Sequence, residues 1–166
     1  MIDWHSLDET WEELSAESEA IFVDLLDREL APMPGLFELL DALEAAGIPK
    51  AICTGSSRAA LSAVWSRYAM EPRFRFTLAA EDVTQGKPDP EIYLMAVDRL
   101  GIRPHEMLVL EDSELGCRSA AAAGAFVVAV PGEHSRNHDF GTASLVIESL
   151  ADRRLYEALG LPEFGA

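Results

Sequence analysis

The chain has 166 residues, 49% of them hydrophobic, which is enough for one domain with a sizeable core. Thirteen basic and 29 acidic residues give a net charge of −16. This charge argues against nucleic acid and anionic membranes as partners. No apolar run approaches the roughly 20 residues that a membrane-spanning helix needs, and residues 1–5 show no secretory signal. Cys53 and Cys117 are predicted to be free thiols in a reducing cytoplasm, with a disulfide or a metal pair as the alternative.

The first thirty residues predict two helices. Ser6–Glu9 has the form of a capping box, which predicts a short helix through Leu14. Ser15 can cap a second helix that runs to about Leu30. Its apolar residues recur at helical spacing and form one stripe: Ile21, Phe22, Leu25 and Leu26. Pro32–Gly35 then interrupts the chain and is the only composition boundary.

Helices and strands alternate after this boundary. The predicted strands are one that ends at Thr54, then Phe76–Ala79, Met107–Leu110, Phe126–Val130 and a weak Leu145–Ile147. The predicted helices are Leu36 to Gly47, one that carries Leu61 to Tyr68, Pro90–Leu100, an alanine-rich one that ends at Gly124, and a C-terminal one with Leu155 and Leu159. This alternation predicts an α/β fold, with a Rossmann-like parallel sheet flanked by helices. Loops at the carboxyl ends of such strands form the binding crevice.

Three chemical groups follow from this arrangement. Thr54 ends one apolar strand, and its hydroxyl can donate to a phosphoryl oxygen with help from the N–H groups of Gly55 and Ser56. Glu111 and Asp112 end another strand, where carboxylates can hold Mg²⁺. Between them, the Gly-Lys-Pro loop offers Lys87 as a cation that offsets phosphoryl charge, and Arg58 can add a substrate contact.

Several of these residues have a purely structural alternative. Asp112 or Ser113 can cap the helix that begins at Glu114, and Lys87 can be a solvated surface lysine. Ser56 and Arg58 can serve as helix-capping and surface residues. Cys53 is expected to face the core rather than to act as a nucleophile. A polar cluster in the loop near residue 135 lacks ligand-like spacing; it comprises Glu133, His134, His138 and Asp139.

Thr54, Lys87 and the Glu111–Asp112 pair, in this order, closely resemble the second, third and fourth motifs of the haloacid dehalogenase superfamily. Within that superfamily, the chain resembles the branch that contains phosphoglycolate phosphatase and β-phosphoglucomutase. The resemblance implies catalytic roles for Thr54 and Lys87, a Mg²⁺ site at Glu111 and Asp112, and a small phosphorylated metabolite as substrate. It also implies that residues 1–31 are the remnant of a helical cap and residues 32–166 the α/β core.

The first motif of that family, a strand ending in Asp-x-Asp-Gly that carries the nucleophile, is not found in this chain. Asp24 is the weak alternative nucleophile, but a helical stripe explains the same residues. Without the first strand, the strands that end at Thr54 and Asp112 either pair directly or leave backbone groups to be satisfied otherwise. The hypotheses are a phosphatase whose nucleophile lies outside this chain, an inactive binding module and a sugar phosphomutase. Exposed edges and front helices predict a homodimer formed partly through residues 1–30.

Overall fold

A computed structural model describes residues 10–29 and 31–162. Helices and strands alternate after the first two helices, in the predicted order. The helices are α1 (Trp11–Glu29), α2 (Leu36–Ala45), α3 (Arg58–Tyr68), α4 (Glu91–Leu100), α5 (Glu114–Ala122) and α6 (Arg153–Leu159). The strands are β1 (Ala51–Cys53), β2 (Phe76–Leu78), β3 (Leu108–Glu111), β4 (Phe126–Ala129) and β5 (Leu145–Val146).

Within the described residues, the front of the chain is the single helix α1, which spans the boundary predicted between two helices. The boundary predicted at Ser15 is wrong, because α1 runs through that residue without a break. A capping box starts the helix at Thr10, whose Oγ1 accepts from the N–H of Glu13 at 3.2 Å. The Glu13 carboxylate accepts in return from the N–H of Thr10 at 2.8 Å. The capping box predicted at Ser6–Glu9 lies outside the described residues.

The α2 helix confirms its prediction. Leu39, Leu40 and Leu43 are buried on one face. Gly35 precedes the helix with φ +86°, and a Cβ there would lie 2.7 Å from the backbone nitrogen of Ala151. A glycine is therefore required at position 35 by both conformation and space. This close approach joins the start of α2 to the loop before α6.

The strands form two parallel pieces instead of one continuous sheet. β1 pairs with β2, and β4 pairs with β3 on one side and β5 on the other. Within the described residues, no strand pairs with the second edge of β1 or of β3. All three residues of β1 are only half-buried, and Leu110 of β3 is 38% exposed. The two strands that carry the predicted motifs therefore do not pair directly.

The core lies on both faces of the sheet, as expected for a parallel α/β fold. Successive residues of β4 alternate between two clusters of buried side chains. One cluster packs under α4 and α5 and includes Ile92, Ala96, Cys117, Val127 and Ala129. The other packs under α2 and α6 and includes Leu39, Leu43, Val128, Val130 and Leu155. The fold class is thus confirmed.

Helix α1 packs against α3 and buries Leu26. Its apolar stripe is otherwise open, since Ile21, Phe22 and Leu25 are 53%, 36% and 45% exposed. In the described part of the chain, no helix is both long and apolar enough to cross a bilayer. The division of the chain at residue 31 stays a prediction.

The predicted dimer can be tested at the exposed apolar stripe of α1. We expect light scattering at micromolar concentration to show twice the monomer mass, because apolar side chains on this helix need a cover. Leu25→Glu should shift the protein to monomer. Leu94→Glu is the matched control, since Leu94 on α4 is also 45% exposed. A wild-type monomer, or equal dissociation by both variants, would contradict this interface.

Candidate active site

An open cleft of about 400 Å³ lies at the carboxyl ends of β1 and β3. It gathers six of the seven predicted site residues from three distant parts of the chain. The lining residues are Cys53, Thr54, Gly55, Ser56, Lys87, Leu110, Glu111, Asp112, Ser113 and Leu115. Arg58 and the alternative nucleophile Asp24 are not among them. The parallel topology thus brings the three motifs together, as predicted for loops at the carboxyl ends of parallel strands.

The loop after β1 presents the Thr54 hydroxyl. The backbone N–H of Thr54 continues the ladder by donating to the carbonyl of Leu78 at 2.9 Å. Its Oγ1 accepts from the N–H of Ser56 at 3.0 Å, so the hydroxyl hydrogen is left to donate elsewhere. The Ser56 N–H is consequently engaged. The N–H of Gly55 has no acceptor within the described ranges, which leaves it for a ligand.

Arg58 and the start of α3 are held outside the cleft. Ser57, rather than Ser56, caps this helix and accepts from the N–H of Ala60 at 3.1 Å. The guanidinium of Arg58 donates to Asp82 at 2.6 Å, and its side chain is 51% exposed. The role of Arg58 in binding substrate stays a prediction.

The loop that carries Lys87 is anchored on both sides. The Glu91 carboxylate accepts from the N–H groups of Thr84 and Gln85 at 2.9 and 2.7 Å. These bonds hold the pKa of Glu91 below its usual range. Ser119, which is fully buried in α5, donates from its hydroxyl to the carbonyl of Asp89 at 2.6 Å. Sequence reasoning missed Ser119, although a lone hydroxyl in an alanine run was the available signal.

Lys87 bridges the two separate sheets. Its ammonium donates to the carbonyl of Cys53, the last residue of β1, at 3.1 Å. It also forms an ion pair with Glu111, the last residue of β3. An ammonium has three donors, and among the described residues only these two acceptors are present. The third donor is therefore left for a ligand.

Glu111 is buried and fully engaged. Its Oε1 accepts from Lys87 and from the hydroxyl of Tyr93, the latter at 2.5 Å. Its Oε2 accepts from the hydroxyl of Ser113 at 3.1 Å and more weakly from the N–H of Asp112 at 3.2 Å. Burial alone would raise the pKa of Glu111, but the Lys87 charge and these donors outweigh it and hold the pKa below its usual range.

The Glu111 carboxylate occupies space that only a glycine in α5 leaves open. A Cβ at Gly116 would lie 2.0 Å from that carboxylate. Gly116 is itself buried, and its N–H donates to the Ser113 hydroxyl at 3.1 Å. The spacing from Glu111 to Gly116 is therefore a packing requirement.

Asp112 has the opposite setting from its neighbour. Ser113 is the residue that caps α5, so Asp112 is not needed for that role. Asp112 is exposed, and its carboxylate has no hydrogen bond or ion pair with any described residue. Throughout the described ranges, no cluster of three or more potential metal-ligating side chains is found, and this includes the polar loop near residue 135.

The two cysteines are predicted to react slowly in the folded protein. Burial raises the pKa of Cys53 and of Cys117 to about 11. At pH 8 the thiolate is then about one molecule in a thousand, so we expect native alkylation by iodoacetamide to be about 100-fold slower than in the unfolded chain. Mass spectrometry of timed samples measures this. Equal rates in the native and unfolded states would contradict the raised pKa values of the two thiols.

The fold is a parallel α/β fold, and its cleft brings hydroxyl, ammonium and carboxylate groups together at the carboxyl ends of the strands. This arrangement is typical of hydrolases that act on phosphate esters. The sequence model of the haloacid dehalogenase-like hydrolases matches residues 3–124, and the chain belongs to this family.

Curated relatives agree with this assignment. The chain is 36% identical over 154 residues to a bifunctional riboflavin kinase/FMN phosphatase of Arabidopsis thaliana, covering 92% of the chain and 40% of that protein. It is 37% identical over 123 residues to hexitol phosphatase A of Escherichia coli (strain K12), covering 73% and 55%. The chain spans about half the length of the curated relatives it matches.

A solved structure is also similar. CbbY from Rhodobacter sphaeroides in complex with phosphate superposes with a TM-score of 0.80 at 28% identity. The superposition covers 87% of this chain and 66% of that one.

Proposed function

We propose that this chain supplies the phosphate- and metal-binding part of a phosphatase for small phosphorylated, sugar-type metabolites. The observation that carries the proposal is the cleft itself, where Thr54, Lys87 and Asp112 each have a group without a protein partner in the described residues. Two relatives named as phosphatases and a similar structure with phosphate bound support it.

The phosphoryl group would be bound by donors from both sides of the cleft. The Thr54 hydroxyl and the Gly55 N–H offer donors from the β1 side. The Lys87 ammonium, which lies between β1 and β3, adds a positive charge and offers its third N–H as a donor. This local charge is needed because the chain as a whole, at −16, repels phosphate esters. Ser56 lines the same wall and can contribute its hydroxyl.

Of the two predicted Mg²⁺ ligands, Asp112 suits the metal better than Glu111. Asp112 offers a free carboxylate, and Mg²⁺ commonly takes only one or two carboxylates together with waters and substrate oxygen. Glu111 is a weaker candidate because both of its oxygens are engaged. When bound, the metal would neutralise phosphoryl charge. Asp112 would hold it, while Glu111 would keep Lys87 in place.

The nucleophile would come from a segment placed between β1 and β3, since both strands have an unpaired edge there within the described residues. A carboxylate on that segment, beside Lys87, would form a bond to phosphorus while the bond to the leaving alcohol breaks. The alcohol would take up a proton, and water would then hydrolyse the acyl phosphate. Among the described residues, Glu111 and Asp112 are the acidic ones that line the cleft, and they have the other roles.

Calorimetry with inorganic phosphate and MgCl₂ tests the binding part. We expect phosphate to bind the wild type and Thr54→Val to weaken it, whereas Thr77→Val on β2 should leave it unchanged. Asp112→Asn should abolish Mg²⁺ binding and keep phosphate binding. Asp98→Asn, an exposed carboxylate on α4, is the control for charge. Absence of phosphate binding by the wild type would overturn the proposal.

Peptide complementation tests the catalytic part. A synthetic peptide with an apolar strand followed by Asp-x-Asp-Gly should produce turnover of an aryl phosphate when it is added to the chain. The same peptide with Asn in place of the first Asp should not. Turnover by the chain alone would mean that its own residues supply a nucleophile, against this proposal.

A binding protein without turnover is the second candidate. The observation that favours it is the engagement of Glu111, which leaves Asp112 as the one uncommitted carboxylate that described residues contribute to the cleft. Phosphate binding without any peptide-dependent turnover would select this candidate. A sugar phosphomutase stays a prediction from the sequence.

A further inference from the structure

Tyr93 contacts both members of the buried ion pair. It lies in the first turn of α4 and is 3% exposed. Its hydroxyl donates to Glu111 Oε1 at 2.5 Å. The ammonium of Lys87 lies 5.0 Å from the centre of its ring, within the range of a cation–π contact. No sequence motif had assigned a role to this side chain.

Packing alone does not account for the hydroxyl. The buried neighbours of Tyr93 in its core cluster include Ile92, Ala96 and Met107, which a phenylalanine would suit equally well. Burial of a hydroxyl costs free energy unless it is hydrogen-bonded, and its partner here is Glu111. Burial and the Glu111 charge raise the pKa of Tyr93 far above its usual range, so the hydroxyl stays a donor at any ordinary pH.

We infer that Tyr93 is a positioning residue that fixes Glu111 and, through Glu111, the Lys87 ammonium that lines the phosphate cleft. This inference rests on the proposed function of the cleft. Tyr93 does not line the cleft, so it acts on a ligand only through Lys87.

The geometry explains why one hydroxyl matters. Tyr93 and Lys87 share Oε1, while Ser113 holds Oε2, so the carboxylate is fixed at both ends. Loss of the Tyr93 hydroxyl leaves Oε1 attached to a flexible lysine alone. Glu111 can then turn about its side-chain torsions, and the Lys87 ammonium loses a fixed partner.

The Lys87 ammonium can be observed directly, because the chain contains only two lysines, Lys50 and Lys87. Lysine-selective ¹⁵N labelling gives at most two ammonium signals, and Lys50→Gln assigns them. We expect Tyr93→Phe to increase the solvent-exchange rate of the Lys87 ammonium about tenfold, the loss of one hydrogen bond to a charged group. Tyr156→Phe is the matched control, since Tyr156 is equally buried in the other core cluster.

Phosphate titration of the same variants tests whether the position of the Lys87 ammonium affects the affinity for phosphate. Tyr93→Phe should weaken phosphate binding about tenfold, and Tyr156→Phe should not. An unchanged exchange rate and affinity in Tyr93→Phe would overturn the positioning role. If the wild type binds no phosphate, the proposed function fails, while the exchange rate still decides the role of Tyr93 on its own.

A second measurement needs no change at Tyr93. In protein labelled with fluorotyrosine, Lys87→Arg should shift the ¹⁹F signal of Tyr93, since the cation lies over its ring. The signals of Tyr68 and Tyr156 should stay in place. An unmoved Tyr93 signal would contradict the contact on which the inference is built.

Discussion

Lys87→Met is expected to lower the free energy of unfolding by about 3–5 kcal/mol, because it leaves the Glu111 charge buried without its cation. The side chain of Glu111 is only 5% exposed, so water cannot replace the lost partner. Urea unfolding at pH 7 measures the effect. Phosphate binding should be lost in the same variant.

The pH dependence of this loss has a definite sign. The folded-state pKa of Glu111 is lowered, so the ion pair stabilises the protein above the unfolded pKa of about 4.3. This stabilisation disappears as the pH falls through the lower folded value. Without Lys87, burial raises the folded-state pKa of Glu111 in the variant. The difference in stability between wild type and Lys87→Met should therefore be larger at pH 7 than at pH 4, and shrink as the pH falls from that raised pKa to the lowered pKa of the wild type.

Lys50→Met is the matched control for the loss of a lysine ion pair. Lys50 pairs with Glu44 at 2.7 Å, but Glu44 is 46% exposed and can be solvated when its partner is removed. We expect a loss below about 1 kcal/mol. Adding Glu111→Gln to Lys87→Met should recover most of the stability, since the buried charge is then gone. Equal losses for Lys50→Met and Lys87→Met would contradict the assigned burial.

Gly116→Ala is expected to destabilise the protein by about 3 kcal/mol, the opposite of its usual effect. In an ordinary helix interior this change stabilises by about 0.5–1 kcal/mol. Here the new Cβ would lie 2.0 Å from the Glu111 carboxylate and force it away from Lys87 and Tyr93. Thermal and urea unfolding measure the stability, and the ¹⁵N signal of the Lys87 ammonium reports the displacement.

Gly132→Ala controls for the added methyl group. Gly132 has an ordinary backbone conformation, and a Cβ there would meet no atom within 4 Å. Gly132→Ala should change the free energy of unfolding by no more than about 0.5 kcal/mol. A stable Gly116→Ala variant with an unchanged Lys87 signal would mean that Glu111 does not need its place against α5.

Order and type of the elements could be predicted from residue 32 onward, because helical and strand periodicities are local properties of the sequence. Near the front, the capping pattern of Thr10 and Glu13 was missed because the similar Ser6–Glu9 pattern stood close by. The separation of β1 from β3 was one of two predicted outcomes. Sequence alone could not choose between them, since both depend on groups far apart in the chain.

The site was predicted as a set of residues but not as a set of contacts. Glu111 and Asp112 were treated as a pair of metal ligands, yet Glu111 is the last residue of β3 and Asp112 lies in the turn that follows it. One is buried and bound to Lys87, and the other is exposed. The contact of Tyr93 with Glu111 depends on long-range packing, which no local pattern encodes.

The anchoring of the Lys87 loop has a consequence for protein engineering. Glu91 holds the loop through main-chain N–H groups, and the side chains of Thr84 and Gln85 are exposed. Gly86 is also exposed, with open space where a Cβ would be added. Positions 84–86 can therefore be randomised in a combinatorial library with little disturbance of the neighbouring lysine. Such a library would vary the surface of the loop while the ion pair of Lys87 with Glu111 keeps its geometry.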